Sequence, residues 1–372
     1  MYDIAIIGAG INGCSVAYEF ANEGKTVLLF DMDGIAHGGS GAAGAFISPK
    51  FSKSGELKEL IGDAFVYSME FYEKNFSHLL NKSQLLHIAK DENDEEILKV
   101  YKESTKLELL NVSQEVLERL NTEAKTKEYI SINAGVVNAA SMCKAMAKSA
   151  QFIRQKVESL EFDDNRWIIN ETYSAKNLVL ATGAYESLIK EPYIQLRGVW
   201  GHRIDIKTKT QNPNSIHQFV SISPSSNGKL AIGATHNVHY HPQTATKPYD
   251  IEAGRAELLE KASRTVHLEN IEVVKDYVGL RSGSFDYMPL LGRLVLSNET
   301  LQNKKIRFKV KNADYTEYEY YPNLYMINGN GGYGFVLAPY LAKILKEYIL
   351  SGKKISERVS PARFFARWAK KL

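Results

Sequence analysis

Residues 1–31 constrain what this chain can fold into more tightly than any other stretch. They read as an apolar strand over 2–7, a glycine turn, a helix over 10–22 closed by Gly24, and a second apolar strand over 26–31. Gly8, Gly10 and Gly13 give the turn the spacing GxGxxG (GAGING), and Asp31 ends the second strand. Such a turn lets the backbone and a helix N-terminus approach a pyrophosphate, while an acidic residue at that strand end accepts ribose hydroxyls. The pattern predicts a βαβ unit that holds a dinucleotide. Taken alone, it admits NAD as readily as FAD.

The rest of the chain sets the frame around that unit. A length of 372 residues predicts two structural units, and 44% hydrophobic with 24% charged residues excludes a disordered or fibrous class. With 46 Lys and Arg against 43 Asp and Glu, the net charge of +3 neither requires nor excludes a nucleic-acid partner. The only cysteines, Cys14 and Cys143, have no metal-like spacing and form no disulfide framework, which fits a reducing, cytoplasmic setting. No signal peptide and no apolar run of roughly 20 residues is visible, so a soluble protein with no membrane partner is expected.

Periodicity predicts helices over 55–75 and, with alternating charges, over 94–125. A short strand or turn over 134–140 leads to a helix over 141–150, and strands follow over 157–162, 167–172 and 177–182. Residues 196–240 read as strands with Gly and Asn turns. The segment 278–293 then leads through a charged, tyrosine-rich stretch to a strand over 324–327, a glycine loop over 328–334 and an apolar helix over 335–350. A strand ending in Ala181-Thr182-Gly183 and a late glycine loop that opens a helix favour FAD over NAD, because the positive helix end suits the electron-rich edge of a reduced flavin.

Four segments together resemble the FAD-dependent oxidoreductases of the D-amino-acid oxidase superfamily, which includes glycine and sarcosine oxidases. They are GAGING with Asp31, the loop 39–49 (GSGAAGAFISP), the ATG strand, and 279–292 (GLRSGSFDYMPLLG). Within that superfamily the loop 38–52, the stretch 323–337 (NLYMINGNGGYGFVL) and the ending 360–372 (SPARFFARWAKKL) are similar to the oxidoreductase half of the bifunctional tRNA 5-methylaminomethyl-2-thiouridine biosynthesis (MnmC) family. The chain starts at the FAD-binding strand, so any methyltransferase step is expected from another chain.

The resemblance implies an α/β fold with a Rossmann-like FAD-binding domain (1–80, 136–190 and 275–372). It adds an α+β substrate domain with a mainly antiparallel sheet (81–135 and 191–274). It implies FAD contacts at Gly8, Gly10, Ile11, Asn12 and Gly13, at Asp31 and Met32, and at Gly39, Ser40, Gly44 and Ala45. Further contacts are implied at Val157, at Ala181, Thr182 and Gly183, at Arg281, and along the final loop at Gly329, Asn330, Gly331, Gly332, Tyr333, Gly334 and Phe335.

The implied reaction is hydride transfer from a carbon beside an amine, followed by hydrolysis. For the tRNA-modifying relatives the amine belongs to 5-carboxymethylaminomethyl-(2-thio)uridine, whose carboxymethyl arm leaves as glyoxylate. The alternative is oxidation of free glycine, sarcosine or a D-amino acid. Arg281 is placed by the resemblance to pair bidentately with the substrate carboxylate. Tyr333 supplies a second contact, with Tyr287 as the other choice, and no dedicated base is required because a neutral amine suffices.

Two further clusters have competing readings. His236, His239 and His241 (HNVHYH) suggest metal ligands if a strand carries them, but a strand and turn without metal is the preferred expectation. Arg363, Arg367, Lys370 and Lys371 fall at helical spacing beside Phe364, Phe365 and Trp368. Either the cations meet tRNA phosphates while the aromatics dock the tail, or this is an ordinary amphipathic terminal helix.

Overall fold

The computed structural model describes residues 1–185, 188–303 and 314–372; part of the tyrosine-rich stretch lies outside these. The first strand, Tyr2–Ile7, is apolar without alternation because both of its faces are covered. Ile4 and Ile6 enter one core with Val27, Leu29 and Val179, while Ala5 enters another with Leu28, Phe30, Leu178 and Leu180. Successive side chains thus serve opposite sides of one sheet.

The main path of that sheet runs Leu290–Val295, Tyr320–Asn328, Tyr173–Leu180, Tyr2–Ile7, Val27–Asp31, Gln151–Arg154, with every pair parallel except the first, while Arg166–Ile169 adds antiparallel to Tyr173–Leu180 and pairs antiparallel with Leu160–Asp163. The helix Ile11–Asn22 follows the first strand and ends at Gly24, which takes φ +70°. It packs on the late helix Gly334–Ser351, which in turn packs on Glu56–Phe76. Pro339 lies inside the late helix and has no N–H to give the Phe335 carbonyl one turn earlier. The buried Tyr72 hydroxyl donates to that carbonyl instead, at 2.9 Å, and Ser68 donates to the next one, Val336 O, at 2.6 Å.

The second sheet runs Glu272–Ser284, Leu196–Lys207, Lys229–Gly233, Ser221–Ile222, Ser215–His217, Leu80–Ile88, Tyr129–Val137, Phe46–Ile47. Its pairings are antiparallel apart from Ser215–His217 beside Leu80–Ile88. The helix Ile251–Ser263 closes its core with Leu258 and Ala262 against Ile204, Ile216 and Ile232. The two sheets give the mixed α/β architecture that the resemblance implied. Among the described residues no helix is long and apolar enough to cross a membrane.

Three local expectations need correction. The helix expected over 94–125 is broken into Glu92–Ser104, Gln114–Glu118 and Thr122–Lys125. Leu98 and Tyr101 pack in a small core with Ala89 and Ile130, whereas Val116 and Leu120 enter the core under the second sheet, and one straight helix cannot reach both. The strand expected over 157–162 is displaced to Leu160–Asp163, with Gln151–Arg154 taking the edge place beside Val27–Asp31. His239 and His241 lie on a loop, because Asn237 Oδ1 accepts from the N–H groups of His239 (2.9 Å) and Tyr240 (3.0 Å) and turns the chain out of the strand. The tail forms a docked helix, Ala362–Ala369, as its spacing implied, with Ala362, Phe364, Phe365 and Ala369 buried in the core under the first sheet.

Candidate active site

A cleft of about 930 Å³ opens where the carboxyl ends of the parallel strands meet the second sheet, the usual location for a ligand in such folds. Its volume stands at the upper end of small-molecule sites, as a dinucleotide requires. One end is built by the glycine turn. Gly8 has φ +105°, and a methyl group there would lie 2.3 Å from the Ala181 carbonyl oxygen. Gly13 stands behind the turn, where a methyl would lie 1.8 Å from Gly8 O; it supports the cleft wall without lining it. Only hydrogen fits at these points, and the N-terminus of Ile11–Asn22 is brought to the surface of the cleft.

Asp31 lines the same end. Its Oδ2 accepts from Ala9 N–H at 2.8 Å and its Oδ1 from Asp33 and Gly34 N–H at 3.0 Å, which fixes the carboxylate at the strand end. The turn Gly39–Ala42 crosses above, with Ser40 Oγ accepting from Ile11 N–H at 2.9 Å. Ile11, Asn12, Met32, Gly39, Ser40, Gly44, Ala45 and Val157 all line the cleft, as do Ala181, Thr182 and Gly183.

Three asparagines tie the late glycine loop to this wall. Asn328 Nδ2 donates to Gly183 O (2.9 Å), Asn12 Nδ2 to Ile327 O (3.3 Å), and Asn330 Nδ2 to Asn12 Oδ1 (2.6 Å). Asn330 Oδ1 is buried with no partner, an acceptor available to a ligand N–H. Asn330, Gly331, Gly332, Tyr333, Gly334 and Phe335 line the cleft and Gly329 does not.

Arg281 faces the cleft from the strand Glu272–Ser284. It is partly buried, and burial pulls its pKa below that of an ordinary arginine. Nη2 donates to Thr235 O at 3.0 Å, and Thr235 is itself pinned by two bonds to His202, Thr235 N–H to His202 O (3.0 Å) and His202 N–H to Thr235 Oγ1 (2.9 Å). His202 also meets Asp276 through Nε2 at 3.0 Å. The guanidinium passes over Gly201, where a methyl would fall 2.4 Å from Nη2. Among the described residues no carboxylate pairs with Arg281. Tyr333 shares the cleft, with its phenol pushed up to about 12 by burial. Tyr287 is exposed and does not line it.

Two histidines line the cleft that the sequence did not assign to it, His217 with no signal and His236 only as a candidate metal ligand. His217 arrives through the parallel pairing of Ser215–His217 with Leu80–Ile88, a register that local pattern does not encode. Burial lowers its pKa to about 4, its Nε2 has no partner, and the Phe46 ring meets it edge-on at 4.9 Å. His87, opposite it in the register, is lowered to about 3 by burial, with His217 adding to the effect. His236 lines the cleft; burial lowers its pKa, followed by the charges of Arg281 and Arg197. Among the described residues no group of three His, Cys, Asp or Glu is arranged to hold a metal ion.

The tail does not deliver Arg363 to solvent. Its side chain is 7% exposed and grips Asp286 with two bonds of 2.9 Å, a third bond of 2.8 Å reaching Met288 O. Arg367, Lys370 and Lys371 remain exposed.

A glycine turn at a helix N-terminus, a fixed acidic strand end, a second glycine loop and an arginine facing them across one cleft define a two-sheet flavoprotein of the Rossmann type. Residues 3–348 match the family model described as DAO, FAD dependent oxidoreductase, and the chain belongs to that family. Its cofactor is FAD, and the glycine cradle and open Asn330 acceptor fit that group.

Among relatives, the bifunctional tRNA 5-methylaminomethyl-2-thiouridine biosynthesis protein MnmC of Legionella pneumophila is 23% identical over 97% of this chain and 57% of its own length. The MnmC protein of Campylobacter concisus is 26% identical over 98% of this chain and 60% of its own. The chain thus spans about three fifths of the length of these relatives. Among solved structures, glycine oxidase from Bacillus cereus superposes with a TM-score of 0.74 at 21% identity, covering 96% of this chain and 97% of that one. L-proline dehydrogenase from P. horikoshii superposes with a TM-score of 0.75 at 16% identity, covering 98% and 97%.

Proposed function

We propose that this FAD-dependent oxidoreductase oxidises the C–N bond of a glycine-like secondary amine. The substrate we favour is 5-carboxymethylaminomethyl-(2-thio)uridine in tRNA, which would lose its carboxymethyl arm as glyoxylate. The observation that carries the reading is Arg281, a partly buried guanidinium with no protein carboxylate among the described residues, in the cleft that also holds the glycine turn. An uncompensated charge in such a place is unfavourable, and a substrate carboxylate relieves it.

Bound FAD supplies a two-electron acceptor for the hydride leaving the carbon beside nitrogen. Arg281, with Nη2 held by Thr235 O, orients the carboxylate and so sets that carbon against the cofactor side of the cleft. Tyr333, a phenol protonated at neutral pH, donates a further hydrogen bond to the same carboxylate. The amine reacts in its neutral form, its proton passes to water, and a second water hydrolyses the C=N bond to glyoxylate and the aminomethyl product. No ionised protein base takes part.

The tRNA reading is supported by the names of the relatives, and the whole-length proteins carry a further segment that this chain does not match. Anaerobic mixing of the FAD-loaded protein with carboxymethylaminomethyl-modified tRNA, glycine, sarcosine and D-alanine tests it. Fastest loss of flavin absorbance with the modified tRNA is expected. Fastest loss with a free amino acid would replace the tRNA reading with that substrate.

A further inference from the structure

Immediately beyond Ser282, which lines the cleft, the chain places two large aromatic side chains in solvent: Phe285 is 60% exposed and Tyr287 62%. Exposure of one such ring is ordinary, but this pair is held there by an unusually complete set of bonds. Tyr287 sits at φ +64°, a conformation that costs a bulky side chain of order 1–3 kcal/mol. Asp286 between the rings accepts from Ser284 Oγ (3.1 Å), from Met288 N–H (3.2 Å) and from the two Arg363 donors. Ser284 Oγ and Arg363 Nη2 also meet Met288 O at 2.6 and 2.8 Å. The segment is tied down by these bonds, strained at Tyr287 and turned outward.

Its surroundings are cationic. The Arg197 guanidinium lies 5.2 Å from the Tyr287 ring centroid, on a residue paired with Gly283 in the neighbouring strand. Arg197 is half-buried, with its Nε enclosed and without a hydrogen-bond partner. Arg367, 55% exposed, stands 3.7 Å from Asp286, and Lys370 and Lys371 follow it on the surface. Exposed π-faces beside cations match a single-stranded nucleic acid, whose bases stack on aromatic rings while its phosphates meet the charges.

We propose that Phe285 and Tyr287 form a stacking platform for the nucleobases that flank the modified uridine, with Arg197 and Arg367 beside it for the phosphates. This rests on the tRNA reading and specifies where the RNA lies. In it the tail acts indirectly: Arg363 is a positioning residue that holds the platform out.

The test uses the full-length FAD-loaded protein and an unmodified RNA anticodon stem-loop with 2-aminopurine beside the wobble uridine. The wild type is expected to quench the 2-aminopurine on binding. Phe285→Ala and Tyr287→Gly should each weaken binding roughly tenfold and lose the quench. Glycine tolerates the positive φ at 287, and unchanged flavin absorbance with a melting temperature no lower than that of the wild type confirms folding. Phe285→Tyr and Tyr287→Phe should retain both signals.

Equal affinity and quenching in the wild type, Phe285→Ala and Tyr287→Gly would overturn the platform. So would a wild-type dimer that Phe285→Ala dissociates in sedimentation, because the rings would then belong to an interface between copies. Failure of the tRNA reading itself is a different result: the carboxymethylaminomethyl-modified stem-loop would leave the flavin oxidised while glycine reduces it.

Discussion

Arg363 and Asp286 form a two-bonded ion pair, Nε to Oδ2 and Nη2 to Oδ1, both at 2.9 Å, that joins the terminal helix to the segment following Arg281. Burial alone would raise the Asp286 carboxyl, yet its bonds to Arg363 and Ser284 hold it below the usual carboxylate range. Arg363→Met removes that carboxylate's two-bonded partner and leaves it Ser284, Met288 N–H and the more distant Arg367. We expect a loss of about 3 kcal/mol at pH 7, the low end for breaking a buried pair because Asp286 keeps some solvent contact. Urea unfolding measures it, and Arg363→Met with Asp286→Asn together should lose less than the two single changes summed.

Tyr72→Phe removes the hydroxyl that serves the Phe335 carbonyl left free by Pro339. The expected cost is about 1–2 kcal/mol, that of one buried unsatisfied acceptor. A melting temperature equal to wild type would show that the carbonyl finds another donor.

His87 and His217 give the fold a defined response to acid. Their folded pKa values, about 3 and about 4, lie below the ordinary value of 6.5 because of burial. Above pH 6.5 they are neutral folded or unfolded and contribute no pH dependence. As pH falls from 6.5 towards 4 the unfolded chain binds protons that the folded chain refuses, so stability declines, by on the order of 1–2 kcal/mol per histidine at pH 5. Unfolding midpoints at pH 7 and pH 5 should therefore differ less in His87→Gln than in the wild type.

Arg281→Met removes the proposed carboxylate partner. A fall in kcat/KM of roughly a hundredfold, about 3 kcal/mol, is expected, with FAD retained. Arg281→Lys should recover only part of it, because an ammonium cannot reproduce the two-pronged geometry.

The parts of this molecule legible in sequence are those where one short stretch determines its own geometry. The strand before Gly8, the helix after Gly10 and Asp31 at the end of the next strand are of this kind, as are the ATG turn and the loop ending at Phe335. Nearly all the residues named from those motifs line one cleft; Gly13 and Gly329 stand behind it.

Contacts between distant segments were not legible. Arg363 reads as a free cation in its own helix, and only its partner Asp286, brought close by the fold, makes it a buried clamp. His217 lies in a stretch that reads only as strand, and its place beside Phe46 depends on the pairing with the Leu80–Ile88 strand. The break of the 94–125 helix likewise depends on two separate cores competing for one segment.

The most direct test of the central claim is product analysis of a single anaerobic turnover with carboxymethylaminomethyl-modified tRNA. One glyoxylate per FAD reduced is expected, with the modified uridine shortened to its aminomethyl form by mass. Unchanged nucleoside and no glyoxylate, from protein whose flavin is bleached by free glycine, would contradict it.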